Sequence, residues 1–170
     1  RIVDLETATT DMALGEPGEL ICKGPTVMRE YWNNPAETEK TFKDGWLLTG
    51  DIATMDEDGH IFIVDRKKDM ILSSGFNVYP REIDELMYSH PKVLQACSFG
   101  IPDPKRGESL KLALVLKPGE EMTVEDAREF CKANLSGYKV PKEVVFLDAL
   151  PVTSVGKPDR KALRQLQLGV

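Results

Sequence analysis

The feature that most constrains this chain is a run of five charged residues at 65–69, which separates two apolar stretches. Residues 61–64 before the run are typical of a β-strand, and residues 70–72 after it are also apolar. Five adjacent charges cannot be buried without partners. The run is therefore either a solvated turn or a joint between two lobes with a ligand near it, and the pattern on either side must decide.

The composition describes a globular protein with room for one ordinary domain or two small ones. The chain has 170 residues, of which 41% are hydrophobic and 29% charged. A formal net charge of −6 argues against nucleic acid as a partner. The three cysteines, Cys22, Cys97 and Cys131, are widely spaced and fit neither a disulfide framework nor a zinc site, which favours a reducing, cytoplasmic compartment. Because the chain begins at Arg1 inside a predicted strand, we expect a piece of a longer protein.

The pattern of elements changes at the charged run. The first 66 residues are rich in predicted strands, at 2–5 and 19–22, with a short helix beginning at Pro35. The rest mixes strands and helices. The predicted strands are at 93–99, 109–117 and 144–147, and the predicted helices are at 80–89, from Thr123, and at 158–167.

Two of these later elements carry specific predictions. The strand at 109–117 places four leucines on one face, Leu110, Leu112, Leu114 and Leu116. Thr123 opens its helix in a pattern that resembles a capping box, and the buried stripe of that helix is predicted to comprise Val124, Ala127, Phe130 and Cys131. The fold class is therefore predicted to be α+β. A strand-rich segment, 1–66, precedes a smaller domain, 67–170, which has a mixed sheet and about three helices.

The turn at 56–59 resembles a calcium loop without satisfying it. Counted from Thr54, positions three, five, six and twelve hold Asp56, Asp58, Gly59 and Asp65. Position one is Thr, position twelve is Asp in place of Glu, and strands flank the loop where the motif needs helices. We interpret the segment as a plain hairpin turn and expect no metal site.

Asp51 and Arg66 are the candidates for holding a nucleotide. Asp51 follows Gly50 at a predicted strand end, where a carboxylate can accept hydrogen bonds from a ribose diol, although turn aspartates are common there. Arg66 could bind hydroxyls or phosphate oxygens through its planar fork. The alternative for Arg66 is a surface ion pair with Asp65 or Asp69, which would contribute little.

Two loops carry the other candidates. Ser73, Ser74 and Gly75 have small side chains, so that the backbone could closely approach a thin ligand; an ordinary hairpin turn explains them equally well. Lys157 follows Gly156 in a loop, from which its ammonium could stabilise charge developing on a phosphate. A solvated lysine before a helix is the alternative.

Taken together and in order, four motifs resemble the C-terminal end of the adenylate-forming acyl-CoA synthetases. The motifs cover most of the chain: GELICKGPTVMREYWNNPAET, DGWLLTGD, VDRKKDMILSSGFNVYPREIDE and LPVTSVGKPDRKALR. Within that family, DRKKDMI followed by SGFNVYP is most similar to bacterial long-chain fatty-acid–CoA ligases. The plant aromatic-acid ligases have lysines around the glycine loop where this chain has Leu72 and Ser74, and acetyl-CoA synthetases have an acidic residue in place of Lys68. The family's Gly-Lys is usually followed by Ile-Leu or similar, whereas this chain has Pro158-Asp159.

The resemblance implies a two-step reaction in which ATP with Mg²⁺ activates a fatty acid to acyl-AMP and CoA then takes the acyl group. Matching motif positions assign Asp51 and Arg66 to ATP and AMP binding, and Lys157 to catalysis of the first step. Ser74 and Gly75 would line the path of CoA. Lys68 would be the hinge, near 65–69, about which the small lid domain turns between the two steps.

The family's phosphate loop, its magnesium carboxylate and its acyl pocket belong to a large N-terminal domain whose motifs do not occur here. We therefore expect that this chain alone neither catalyses adenylation nor holds these ligands. The full-length enzyme is expected in the cytoplasm, with peripheral association at the inner membrane face. An adenylation module that loads a carrier protein, and a non-catalytic binding domain that retains the motifs, are the alternatives.

Overall fold

The computed structural model describes residues 1–168, and the chain divides into two compact units. The first runs from Arg1 to Lys68, and the second begins at Asp69. The predicted division lay two residues earlier, after residue 66. Lys67 also contacts the first unit through its side chain, since its ammonium lies 2.6 Å from Glu19 Oε2. The assignment of the units to a large domain and a lid stays a prediction.

The first unit is an antiparallel sheet with one short helix. Its elements are β1 (Ile2–Val3), β2 (Gly18–Cys22), α1 (Pro35–Thr41), β3 (Phe42–Lys43), β4 (Trp46–Met55) and β5 (Ile61–Arg66). The strand order is β1-β2-β4-β3, and β5 also pairs with β4. Asn34 caps α1 by accepting a hydrogen bond from the Glu37 N–H, and Pro35 occupies the first turn, where its missing N–H costs nothing.

The second unit is a mixed sheet with three helices, as predicted. Its elements are β6 (Ile71–Ser73), β7 (Phe76–Val78), α2 (Pro80–Tyr88), β8 (Val93–Asp103), β9 (Gly107–Leu116), α3 (Val124–Asn134), β10 (Glu143–Phe146) and α4 (Arg160–Leu168). The strand order is β10-β9-β6-β7, with β8 paired to β9. β10 runs parallel to β9, whereas the other pairs are antiparallel.

Both faces of β9 are buried, where the sequence predicted one apolar face. Leu110, Leu112 and Leu114 pack in one cluster, which includes residues of α2 and α3. Ala113 and Val115 point the other way, into a second cluster that includes Leu163 of α4. Alternation along the strand therefore separates two cores, and not a core from solvent.

The starts of α3 and α4 show where the structure agrees with the predicted helices and where it differs. The capping box at Thr123 is present, with hydrogen bonds in both directions between Thr123 and Asp126. Ala127 and Cys131 are buried and Phe130 is partly buried, but the prediction for Val124 is wrong: it is 42% exposed, because it begins the helix beyond the core. α4 begins two residues later than predicted, since Pro158 forms a β-bridge with Val152. None of the helices in residues 1–168 is both long and apolar enough to cross a membrane.

Candidate functional site

Asp51 lies on a β-bulge in the first unit. In β4, three residues (Thr49, Gly50, Asp51) stand opposite one residue of β2. Gly50 has a φ of +72°, a conformation that is available to glycine without steric cost. The Thr49 hydroxyl closes the bulge, since it donates to the Leu20 carbonyl at 2.7 Å and accepts the Asp51 N–H at 3.1 Å. Bulges change the direction of a side chain, so the Thr-Gly-Asp order determines where the carboxylate points.

The structure brings Asp51 and Arg66 together. The two residues are cross-strand partners in β4 and β5, and Arg66 Nε lies 2.9 Å from Asp51 Oδ1. The Arg66 side chain is 56% exposed and that of Asp51 is 32% exposed, so solvent screening leaves the pair little stabilising energy. The ion pair that the structure shows for Arg66 is thus with Asp51, its partner across the strands, whereas the alternative raised from the sequence was a neighbour in sequence. Asp65 is buried and accepts the Arg66 backbone N–H.

A buried carboxylate that the sequence analysis missed, Glu19, bonds to the sequence neighbours of both Asp51 and Arg66. Glu19 of β2 is 3% exposed. Its Oε2 lies 2.6 Å from the Lys67 ammonium, and its Oε1 accepts the Gly50 N–H at 3.3 Å. Glu19 thus joins the bulge that carries Asp51 to the residue after Arg66. The available signal was a single acidic residue inside an otherwise apolar strand, which requires a buried partner.

Lys68, the predicted hinge, is exposed in a short 3₁₀ turn, Lys67–Asp69. The boundary between the two compact units follows it directly. A 3₁₀ turn has a single turn of weaker hydrogen bonds, which makes its backbone torsions easier to change than those of an α-helix. This location suits a hinge, and the role itself stays a prediction.

Ser74 and Gly75 form the two-residue turn of the hairpin between β6 and β7. Both have positive φ, +54° and +83°, as a type I′ hairpin turn requires. The turn is attached to the neighbouring loop, because the Ser74 N–H donates to the Arg106 carbonyl at 2.9 Å. Both residues are exposed, and the space where a Gly75 side chain would stand is open. The hairpin explanation is therefore right, and the turn also offers bare backbone to a ligand.

An aromatic pair stands beside this turn and was not predicted. The rings of Phe76 and Tyr138 stack with centroids 4.6 Å apart, and both side chains are exposed. Tyr138 belongs to a 3₁₀ turn, Gly137–Lys139, in which Lys139 bonds to Glu82 of α2. The stack connects the hairpin to the chain that leads into β10, so it restricts where the Ser74–Gly75 turn can lie.

Lys157 ends a tight, exposed turn. The Thr153 N–H donates to the Lys157 carbonyl at 2.8 Å, and the Gly156 N–H donates to the Thr153 carbonyl at 2.9 Å. Gly156 has a φ of +76°. Among the residues that the structure describes, no carboxylate forms an ion pair with the Lys157 ammonium. A charged group that the protein leaves in solvent is available to an anionic ligand.

The Pro158-Asp159 pair, which differs from the related motif, has a local structural role. The Asp159 carboxylate accepts the Ala162 N–H at 3.0 Å, as an N-cap does, and α4 begins at the next residue. Pro158 is bridged to Val152 across the loop. These contacts preserve the turn that carries Lys157.

The turn at 56–59 is a hairpin between β4 and β5, as predicted. Asp56, Asp58 and His60 place ligand-type atoms within 4.8 Å of one another. Asp56 uses its Oδ1 to accept the N–H groups of Asp58 and His60, which is the ordinary stabilisation of such a turn. The flanking strands are not the helices of a calcium loop, so we assign no metal here.

Residues 82–157 match the family model of the AMP-binding enzyme C-terminal domain. The chain is 52% identical over 160 residues to a long-chain-fatty-acid–CoA ligase of Yersinia pestis, which covers 94% of this chain and 28% of that protein. The chain belongs to the acyl-CoA synthetases and corresponds to their C-terminal part. A second acyl-CoA synthetase, the long-chain-fatty-acid–CoA ligase of Bacillus subtilis, is 47% identical over 148 residues, 87% of this chain and 26% of that protein.

A solved structure supports the same relationship. ATP-bound MatB from Rhodopseudomonas palustris matches with a TM-score of 0.91 and 33% identity, over 98% of this chain and 33% of that protein. The chain thus spans roughly a quarter to a third of the length of the acyl-CoA synthetases and related structures that it matches. The family-model match ends at Lys157 and includes β8, β9, β10, α3 and all but the first two residues of α2.

Proposed function

We propose that the full-length protein is a long-chain fatty-acid–CoA ligase. The observation that carries this proposal is the 47–52% identity, over about nine-tenths of the chain, to proteins of that name. In the first step a fatty carboxylate oxygen attacks the α-phosphorus of ATP, and the bond to pyrophosphate breaks. In the second step the CoA sulfur attacks the acyl carbonyl carbon, its proton leaves, and the bond to AMP breaks.

The residues of this chain serve the two steps in different ways. Asp51 accepts hydrogen bonds from the ribose hydroxyls, while Arg66, beside it at 2.9 Å, donates to ribose or phosphate oxygens. Lys157 places its ammonium where negative charge grows on the carboxylate and the α-phosphate during adenylation. Mg²⁺ accompanies ATP as its counterion, but the motif that holds it in the family is not among those matched here, so we assign it no residue of this chain.

The exposed backbone at Ser74 and Gly75 faces the pantetheine arm of CoA in the second step. Lys68 is the hinge at which the lid, predicted as 67–170 and beginning at Asp69 in the structure, changes its pose relative to the large N-terminal domain, to whose end the residues before the lid belong. We also propose that the enzyme is cytoplasmic, with peripheral attachment to the inner membrane face where its apolar substrate collects. The three free cysteines support a reducing compartment.

The test is Lys157→Ala in the full-length protein, with the two half-reactions measured separately. We expect acyl-AMP formation from oleate and ATP to fall by about 100-fold or more, in the range found when one transition-state charge contact is removed. Thioester formation from supplied oleoyl-AMP and CoA should change by less than about threefold, since Lys157 acts before that step.

Lys132→Ala, which removes another exposed lysine of the same unit, is the matched control and should affect neither step. Unchanged acyl-AMP formation in Lys157→Ala would contradict the role of Lys157. If the wild-type enzyme transfers the acyl group to a pantetheine-bearing carrier protein and not to free CoA, the protein is an adenylation module and the ligase proposal is wrong.

A further inference from the structure

A partly buried ion pair holds the first residue of α4, three positions after Lys157: the Arg160 and Asp84 side chains are 20% and 11% exposed. Arg160 Nη2 donates to Asp84 Oδ2 at 2.5 Å, and Arg160 Nε donates to the Ser98 carbonyl at 3.0 Å. Asp84 of α2 is 7% exposed, and its other oxygen accepts the Ser98 N–H at 2.5 Å. One guanidinium thus connects α4 with both α2 and β8.

Such a pair is an expensive way to stabilise a fold. Removing two charges most of the way from water has a desolvation cost, and well-packed apolar residues of similar size are often as stable or more so. What a guanidinium fork adds is orientation, because its donors leave one plane at fixed angles. The Asp84–Arg160 pair therefore defines the position and rotation of the start of α4 more closely than apolar packing would.

The backbone transmits this position to Lys157. The Asp159 N–H donates to the Pro151 carbonyl at 2.8 Å, Pro158 is bridged to Val152, and the Thr153 N–H donates to the Lys157 carbonyl at 2.8 Å. Pro158, between Lys157 and the helix, has a φ that its ring restricts. Few torsions therefore separate the ion pair from the turn.

The other end of this loop is fixed by apolar burial. Leu150 is buried in the same cluster as Leu163 of α4. The turn at 153–157 is consequently held between an apolar anchor before it and a charged anchor after it.

We propose that Asp84 and Arg160 are positioning residues for Lys157, and that their ion pair sets the reach of its ammonium during adenylation. The inference rests on the proposed function, because the ion pair can affect adenylation in this way only if Lys157 acts in that step. Neither residue is required to touch a substrate. Their effect should therefore appear in the first half-reaction and not in the second.

The experiment uses Arg160→Gln and Asp84→Asn in the full-length protein. A displacement of about 1 Å can cost about 100-fold in rate, so acyl-AMP formation from oleate and ATP should fall about 10- to 100-fold in either variant. Thioester formation from supplied oleoyl-AMP should stay within about threefold. The double variant should be no worse than the more severe single variant, because both remove the same contact.

Lys161→Gln is the matched control, since it removes the neighbouring positive charge of α4 from an exposed position. It should leave both half-reactions unchanged. Equal loss of both half-reactions in Arg160→Gln would mean that the pair only stabilises the fold, and no loss would mean that it positions nothing. Either result overturns the proposal.

Hydrogen exchange gives a readout that does not depend on catalysis. The Thr153 and Gly156 amides close the turn, and they should exchange at least about tenfold faster in Arg160→Gln, whereas the Leu112 amide in β9 should not change. Faster exchange at all three amides, or at none, contradicts the proposal even if a variant is poorly active. Should Lys157→Ala leave adenylation intact, the proposed function of Lys157 fails, while exchange still reports whether the ion pair holds the turn.

Discussion

At the scale of single residues, two buried thiols show how far the interior disfavours charge. Burial raises the pKa of Cys97 to about 12, and the nearby Asp84 carboxylate adds to the increase. Burial alone raises the pKa of Cys131 to about 11. Cys22 differs from both because it is partly exposed. Since the thiolate is the reactive form, the three cysteines should differ sharply in reactivity.

We expect iodoacetamide at pH 8 to alkylate Cys22 in the folded chain and to leave Cys97 and Cys131 unmodified. A thiol with a pKa near 12 is ionised in roughly one molecule in ten thousand at that pH, and burial also blocks the reagent. Mass spectrometry of tryptic peptides locates the labels, and the denatured chain, with all three labelled, is the control. Labelling of Cys97 in the folded chain would show that the second core opens.

The same shifts predict the dependence of stability on pH. The pKa values of Cys97 and Cys131 are raised in the folded state. The contribution of these thiols to folding stability is therefore complete below the ordinary pKa of 9.0 and is lost as the pH rises toward 11–12. Urea unfolding should show that the free energy of unfolding falls between pH 8 and pH 10, and that this fall is smaller in Cys97→Ala than in the wild type. An equal fall in both proteins would contradict the assignment to Cys97.

Asp51 and Arg66 show what single residues reveal before a structure is known. Each was identifiable from its motif, but the pairing of Arg66 with Asp51 was not predicted, since the alternative weighed for Arg66 was an ion pair with a neighbour in sequence. Arg66 stands opposite Asp51 because of a separate register shift between β4 and β5, at Ile52 and Ala53, and the sequence contains no local sign of that shift. Glu19 stands out as an acidic residue in an apolar strand, but neither its partner Lys67 nor the Asp84–Arg160 pair can be read from the sequence, because long-range ion pairs leave no local pattern.

At the scale of elements, the sequence predicts helix caps and the alternation of apolar residues along a strand. It does not predict which other element covers each face of the strand. The capping box at Thr123 follows from residues three apart, so the sequence contains it completely. Whether the second face of β9 is covered depends on α4, which lies far along the chain, and the alternation of leucines is the same in either case. Local rules therefore predicted where helices begin better than they predicted what each strand face meets.

Thr123→Ala should destabilise the second unit by about 1 kcal/mol, the usual cost of losing a hydroxyl N-cap. The Thr123 hydroxyl accepts the Asp126 N–H at 3.1 Å, and alanine leaves that donor without its partner. Urea unfolding at pH 7 measures the change. Ser154→Ala, which removes an exposed hydroxyl of the same unit, should change the unfolding free energy by less than about 0.5 kcal/mol. Equal effects of the two substitutions would rule out a contribution from the cap.

At the scale of the whole molecule, the two units differ in how much core each contains. The two clusters of buried apolar residues in the described chain both belong to the second unit. The first unit buries a few scattered apolar side chains, among them Val3, Ile21 and Ile52, while Trp32 and Phe62 are exposed. Because burial of apolar area supplies most of the driving force for folding, the second unit has the means to fold by itself.

Residues 69–170 expressed alone should therefore unfold cooperatively in urea, with near-native helix content by circular dichroism. Residues 1–68 alone should give no cooperative transition, since a small sheet with few buried side chains cannot offset the entropy of ordering its chain. A cooperative transition in residues 1–68, or its absence in residues 69–170, would contradict this division of the core.

The bond between Glu19 and Lys67 has a mechanical consequence. It joins Lys67, the residue before Lys68, to the sheet of the first unit, so the hinge that we propose starts at Lys68 and not farther back in β5. If the proposed hinge is confined to so few residues, few single bonds turn, and this favours a small set of discrete poses of the lid.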